Sequence, residues 1–173
     1  MSRTLVLGGS RSGKSAHAEL LLEGRDDVTY LATSDPRPGD TEWAERVALH
    51  RARRPAAWTT KETTNPGQLV VPGTYLVDSV TTWVTAMMDA SNVWDGGARA
   101  QARLARRVDE LLEAWVMTPA HVVAVSDEVG LGVVPETASG RLFRDTLGTV
   151  NQRLAATADE VWFVVAGLPQ RLR

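Results

Sequence analysis

Thr4-Leu-Val-Leu-Gly8-Gly-Ser-Arg-Ser-Gly13-Lys14-Ser15 runs a short apolar stretch into a glycine and then opens an amphipathic segment with Gly-Lys-Ser. This is G-x-x-x-x-G-K-[ST], the phosphate-binding P-loop, in the strand–loop–helix setting that the pattern requires. Gly8, Gly9, Ser10, Arg11, Ser12 and Gly13 are expected to turn backbone N–H groups inward as an anion nest. A helix beginning near Gly13 would add unpaired N–H groups and a partial positive charge. Lys14 is expected to reach the β- and γ-phosphates, and the Ser15 hydroxyl to enter a magnesium shell. A glycine-rich turn beside a surface lysine is the plain alternative. The flanking strand and helix favour a nucleoside triphosphate site.

The remainder of the chain is compatible with that reading. Its 173 residues suit one domain, spanning 1–173, with an ordinary core. A composition of 43% hydrophobic and 23% charged residues, with a net charge of −2, is that of a soluble globular protein. That balance argues against a general nucleic-acid or membrane-surface binder, which is normally basic. No apolar run approaches the roughly 20 residues that span a bilayer. The first apolar run reads as a strand, not a secretory leader. With zero cysteines, disulfides and thiolate zinc sites are excluded, and a cytoplasmic location is expected.

Strands are expected at Thr4–Leu7, Val28–Ala32, Tyr75–Asp78, Val122–Val125 and Val161–Val165. Helical segments are expected near 14–23, 40–54, 81–90, 98–117 and 138–157. Most of the strands are continuous apolar runs, as in a parallel sheet covered on both faces. The β-α-β-α order predicts a doubly wound α/β fold of the P-loop NTPase, RecA-like kind, mostly parallel with helices on both faces. Ligands gather at the carboxyl ends of such strands. Those ends read Gly8-Gly9, Thr33-Ser34, Asp78-Ser79 and Ser126-Asp127-Glu128.

Asp78 closes an apolar strand, where P-loop enzymes place the acid that holds magnesium. A turn residue or helix cap is the other reading, since Asp favours both. Further along, Glu42-Trp-Ala-Glu-Arg46-Val-Ala-Leu-His50-Arg51-Ala-Arg-Arg54-Pro55 reads as a helix that stops before proline. Arg46, His50 and Arg54 share one face at i, i+4 and i+8. The surrounding arginines favour a neutral imidazole and a bound polyphosphate. A neutral imidazole is a competent nucleophile toward phosphorus. Spacing alone fits a solvated basic helix with an incidental histidine better than a catalytic one. His17 and His121 have no special setting.

From these residues onward the chain resembles a known family. Gly8 to Ser15 with Ala18-Glu19 is similar to the opening of the bifunctional adenosylcobinamide kinase/adenosylcobinamide-phosphate guanylyltransferases. The likeness continues through Tyr30-Leu-Ala-Thr-Ser34, through the histidine helix with Trp58 and Glu62, and through Leu76-Val-Asp78-Ser-Val-Thr-Thr. It extends into Glu128-Val-Gly-Leu-Gly-Val-Val-Pro135-Glu136, Phe143-Arg144-Asp145, Asn151-Gln152 and Gly167-Leu-Pro169. The resemblance implies that adenosylcobinamide is phosphorylated with ATP or GTP, and that GMP is then passed from GTP to the phosphate it carries. It implies His50 as the residue that takes up GMP, with Lys14, Arg51 and Arg54 neutralising charge. Thr33, Ser34 and Glu62 are implied nucleotide contacts, Glu62 for guanine, while Ser15 and Asp78 would hold Mg2+. It also implies a homo-oligomer, expected as a trimer. Two positions depart from the pattern: Asp127 and Ala86 stand where members often carry Asn. Glu128 and Gly130 to Gly132 read either as the mouth of the site or as a turn with a capping acid. A generic P-loop kinase with a structural His50 and a RecA-like nucleotide switch are the rival functions.

Overall fold

The structure, a computed structural model, describes residues 1–34 and 54–173, with isolated positions 39, 41, 45 and 48 between them. The expected helix near 40–54, including Arg46, His50 and Arg51, lies almost wholly outside the described residues.

Seven strands form one sheet: β1 Ser2–Gly8, β2 Val28–Ala32, β3 Thr59–Glu62, β4 Thr74–Asp78, β5 His121–Asp127, β6 Glu160–Val165 and β7 Leu168–Arg171. The described helices are α1 Lys14–Leu20, α2 Val80–Ser91, α3 Ala98–Met117 and α4 Ala138–Thr157, with a 3-10 turn at Pro66–Val70. Strand order is β3-β2-β4-β5-β1-β6-β7. Every pairing is parallel except the β6–β7 hairpin. The expected mostly parallel P-loop architecture is therefore present.

The apolar runs of the central strands face both ways, as the period of two requires. Leu5 and Leu7 of β1 join Val77, Val122, Ala124 and Val161 in a core against α2, α3 and α4. Val6 points the other way and packs with Leu76, Val123, Val125 and Val164 beneath Ala18 of α1. Both faces are thus covered, which is why these strands show no polar alternation. Trp83 and Trp115 are the largest fully buried side chains of the first core, and each indole N–H finds an acceptor, Thr64 O at 2.7 Å and Thr157 Oγ1 at 3.1 Å.

Two strands escaped the sequence reading. β3 is Thr-Thr-Lys-Glu, exposed along its whole length, and β7 is Leu-Pro-Gln-Arg, likewise exposed. Both are edge strands, and such strands carry polar residues or proline with no buried face to impose periodicity. The β6–β7 turn places Ala166 and Gly167 at φ of 51° and 79°. A two-residue hairpin loop of this handedness matches the twist of its strands. β5 also runs further than expected, so Ser126 and Asp127 belong to the strand itself.

Candidate active site

The P-loop wraps tightly over the carboxyl end of β1. A Cβ on Gly8 would lie 2.7 Å from the Val164 carbonyl and closer still to Ser12 Oγ, so only glycine fits. Arg11 and Gly13 take positive φ, 55° and 94°. Ser12 N–H donates to Gly9 O at 3.2 Å, and the hairpin braces the loop from outside through Gly167 N–H to Ser12 O at 2.8 Å. Lys14 begins α1 and folds back, donating from Nζ to Gly9 O at 3.2 Å. Ser15 follows in the first turn, half-buried.

The row of strand ends beside this loop follows from the strand order. β5 lies between β1 and β4, so Asp127 stands between the P-loop and Asp78. Asp127 is opposite Gly8 in register, and its Oδ1 forms an ion pair with Lys14 Nζ at 2.6 Å. Its backbone is held from two sides: Thr81 Oγ1 accepts from Asp127 N–H at 2.8 Å, and Asn151 Nδ2 donates to Asp127 O at 3.0 Å. Asn151 also receives the Ser126 hydroxyl at 2.7 Å. Asn151, Thr81 and Asp127 as a partner of Lys14 were missed by sequence reasoning. The one signal was a buried-face amide within a helix, Asn151 of α4, where polar residues are rare unless bonded.

Asp78 ends β4 and accepts the Tyr30 hydroxyl at 2.7 Å. Burial, then the nearby Asp78 charge, pushes the Tyr30 phenol far above its usual range, so it remains a donor. The Arg54 guanidinium stacks over the Tyr30 ring at 3.2 Å and donates to Thr60 Oγ1 at 3.2 Å. The basic segment therefore ends against the residue that orients Asp78. Thr33, expected as a nucleotide contact, is 1% exposed. Its hydroxyl bonds Ser79 O at 2.6 Å and Thr82 Oγ1 at 2.7 Å, and accepts from Ser79 N–H at 3.0 Å. This geometry ties the end of β2 to the N-cap of α2. Ser34 lies just beyond β2, half-buried, and Glu62 ends β3 at the far side of the row from Gly8.

Glu128 resolves into a turn: its N–H donates to Gly8 O at 3.0 Å, and its Oε1 accepts from Gly130 N–H at 2.6 Å. The loop beyond it exposes Leu131, Val133 and Val134 and is tied to α4 by Arg144, which donates to Gly132 O and Val133 O. Among the described residues no three His, Cys, Asp or Glu side chains gather closely enough to hold a metal alone. The Ser15 hydroxyl and the Asp78 carboxylate, expected from the sequence to hold magnesium, are hard oxygen donors of the kind that suits that ion. A cavity of about 250 Å³ lies at the other end of the sheet, between His121 and Arg171, and holds none of the expected site residues.

Sheet order and P-loop together define a P-loop nucleotide-binding protein of RecA-like fold. Two solved structures share that fold. They are an ATPase from the type III secretion system of pathogenic bacteria (TM-score 0.58, 13% identity) and the ATPase EscN of enteropathogenic E. coli (TM-score 0.54, 12% identity). They cover 98% and 95% of this chain, which spans 56% and 43% of theirs. More particularly, the chain belongs to the CobU family, cobinamide kinase / cobinamide phosphate guanyltransferase, whose pattern it matches over residues 4–172. It is 41% identical to the bifunctional adenosylcobalamin biosynthesis protein CobU of Salmonella typhimurium, with 98% of each chain covered. Its identity to CobU of Escherichia coli is 40%, again over 98% of each chain. With CobP of Pseudomonas aeruginosa the identity is 38%, over 99% of this chain and 97% of that protein. The family expected from the motifs is therefore the family to which the chain belongs, and it is a family of enzymes.

Proposed function

We propose that this single domain phosphorylates adenosylcobinamide and then converts the product to adenosylcobinamide-GDP through a GMP–His50 intermediate. The carrying observation is the P-loop, built in full with its lysine at the mouth, in a chain that matches the kinase/guanyltransferase family along nearly its whole length. In the first step the substrate hydroxyl oxygen bonds to the γ-phosphorus of ATP or GTP. The bond from that phosphorus to the β-phosphate oxygen breaks, and the hydroxyl proton is released. The P-loop N–H groups and Lys14 hold the phosphates in line and offset charge building on their oxygens. Magnesium, when bound, neutralises phosphate charge; Ser15 and Asp78 are the residues that would hold it, with Tyr30 orienting Asp78.

In the second step a His50 ring nitrogen bonds to the α-phosphorus of GTP and pyrophosphate leaves. An oxygen of the cobinamide phosphate then bonds to the same phosphorus, and the N–P bond breaks to free the imidazole. Arg51 and Arg54 offset the charge of this second exchange, and Lys14 serves both. Glu62, at the far end of the strand row from Gly8, is suited to the guanine rather than to the phosphates. Ser34 lies between as a further nucleotide contact. Thr33 supports the site from behind, through Ser79. The resemblance is what supports a homotrimer and a cytoplasmic setting. No helix among the described residues is long and apolar enough to cross a membrane.

The test is incubation with α-labelled GTP and magnesium. An acid-labile, alkali-stable label should remain on the protein and vanish in His50→Ala. Label that persists in that variant, or no label under turnover conditions, would remove the histidine mechanism. Lys14→Ala should weaken both steps.

A further inference from the structure

The Lys14–Asp127 pair is the feature of the site that the two reactions do not use. A P-loop lysine serves by lending positive charge to phosphates, yet its Nζ is shared between a carbonyl, Gly9 O, and a full carboxylate at 2.6 Å. That carboxylate is not a mobile surface group. It ends a central strand, and its backbone N–H and C=O are bonded by Thr81 and Asn151, so the main chain that carries it is held beside the loop. Any nucleotide gripped by Lys14 therefore enters the field of a negative charge that already pairs with the lysine. Charge-assisted contacts of this length compete strongly for a shared ammonium.

We propose that Asp127 is the positioning residue of the P-loop lysine, and that its charge makes this loop select the magnesium-bound nucleoside triphosphate over the metal-free one. The inference rests on the nucleotide-binding reading of the P-loop. Asp127 fixes Nζ over the loop by pairing with it, and it repels phosphate in proportion to the net charge the ligand carries. A divalent cation offsets part of that charge, so the repulsion falls for the metal complex and remains for the bare triphosphate. The carboxylate acts through Lys14 and through space, and needs no contact with the metal.

The experiment is titration of the full chain with a fluorescent GTP analogue, once with magnesium and once with chelator. Asp127→Asn, the neutral isostere, should bind the metal-free analogue about tenfold more tightly and change the magnesium complex by less than about threefold, narrowing the ratio of the two affinities. Asp127→Ser should narrow it likewise, and Asp127→Glu, which keeps the charge, should preserve most of it. Circular dichroism checks that each variant folds. A ratio unchanged in both Asn and Ser variants overturns the inference. So does a selective loss of the magnesium complex, which would make Asp127 a metal ligand instead. Wild-type protein that binds the analogue under neither condition would overturn the nucleotide reading itself, an outcome distinct from both.

Discussion

At Gly8 the chain leaves no room for a methyl group. The obstacle is the Val164 carbonyl, a backbone atom of the neighbouring strand that cannot swing aside. Gly8→Ala should therefore cost about 1–3 kcal/mol of stability, the usual toll of overpacking. It should also weaken GTP binding at least about tenfold, because the loop can yield only by losing its nest. Urea midpoints and nucleotide titration check the two effects; wild-type affinity in this variant would show that the loop has slack. Gly8 and Lys14 were legible because the P-loop is a local pattern in which each residue type has its own steric or electrostatic reason. Thr33 was not legible in the same way. The family resemblance implied a nucleotide contact there, and in the structure its hydroxyl bonds Ser79 and Thr82.

Among the polar bonds that join elements, α4 supplies one that reaches the site. Asn151 is buried and joins the helix to Ser126 and to the Asp127 carbonyl at the end of β5. Asn151→Ala leaves both groups short of a partner, a loss of about 1–3 kcal/mol for a buried hydrogen-bonding group. The urea midpoint should fall accordingly, and unchanged stability would mean that water replaces the amide. At this scale the described helices and the five inner strands could be read in advance, since burial of one face imposes a period of 3.6 on a helix and burial of both faces leaves a strand as a continuous apolar run. β3 and β7 could not, because an exposed edge carries no such pattern.

Across the whole molecule, stability should depend on two histidines far apart in sequence, His17 and His121. His17 packs edge-on against Trp162 with ring centroids 4.9 Å apart, and His121 starts β5 beside Ser2. Burial lowers the pKa of both from the ordinary 6.5, with the Arg25 charge adding to the effect at His121. The unfolded chain then takes up protons near 6.5 that the native state resists. Stability is full above that value and falls as pH drops through it toward the lower native values. Melting temperature should therefore be level above about pH 7 and decline from about pH 6.5 to 5.5. The slope should be shallower in His17→Phe and in His121→Asn; a decline identical to wild type in both would assign it to other groups.

Local chemistry alone dictates the P-loop, the inner strands and helices, and the family likeness, because sterics, capping and hydrophobic period act over a few neighbouring residues. Strand order is different. Insertion of β5 between β1 and β4 depends on pairing across long stretches of chain, and no short pattern encodes it. That insertion sets Asp127 against Lys14 and lets Thr81 and Asn151 hold its backbone there, while the pairing of β2 with β4 turns Thr33 toward Ser79 and Thr82. The fold decides which charges meet the phosphates, because contact between residues distant in sequence exists only once the sheet has closed around them.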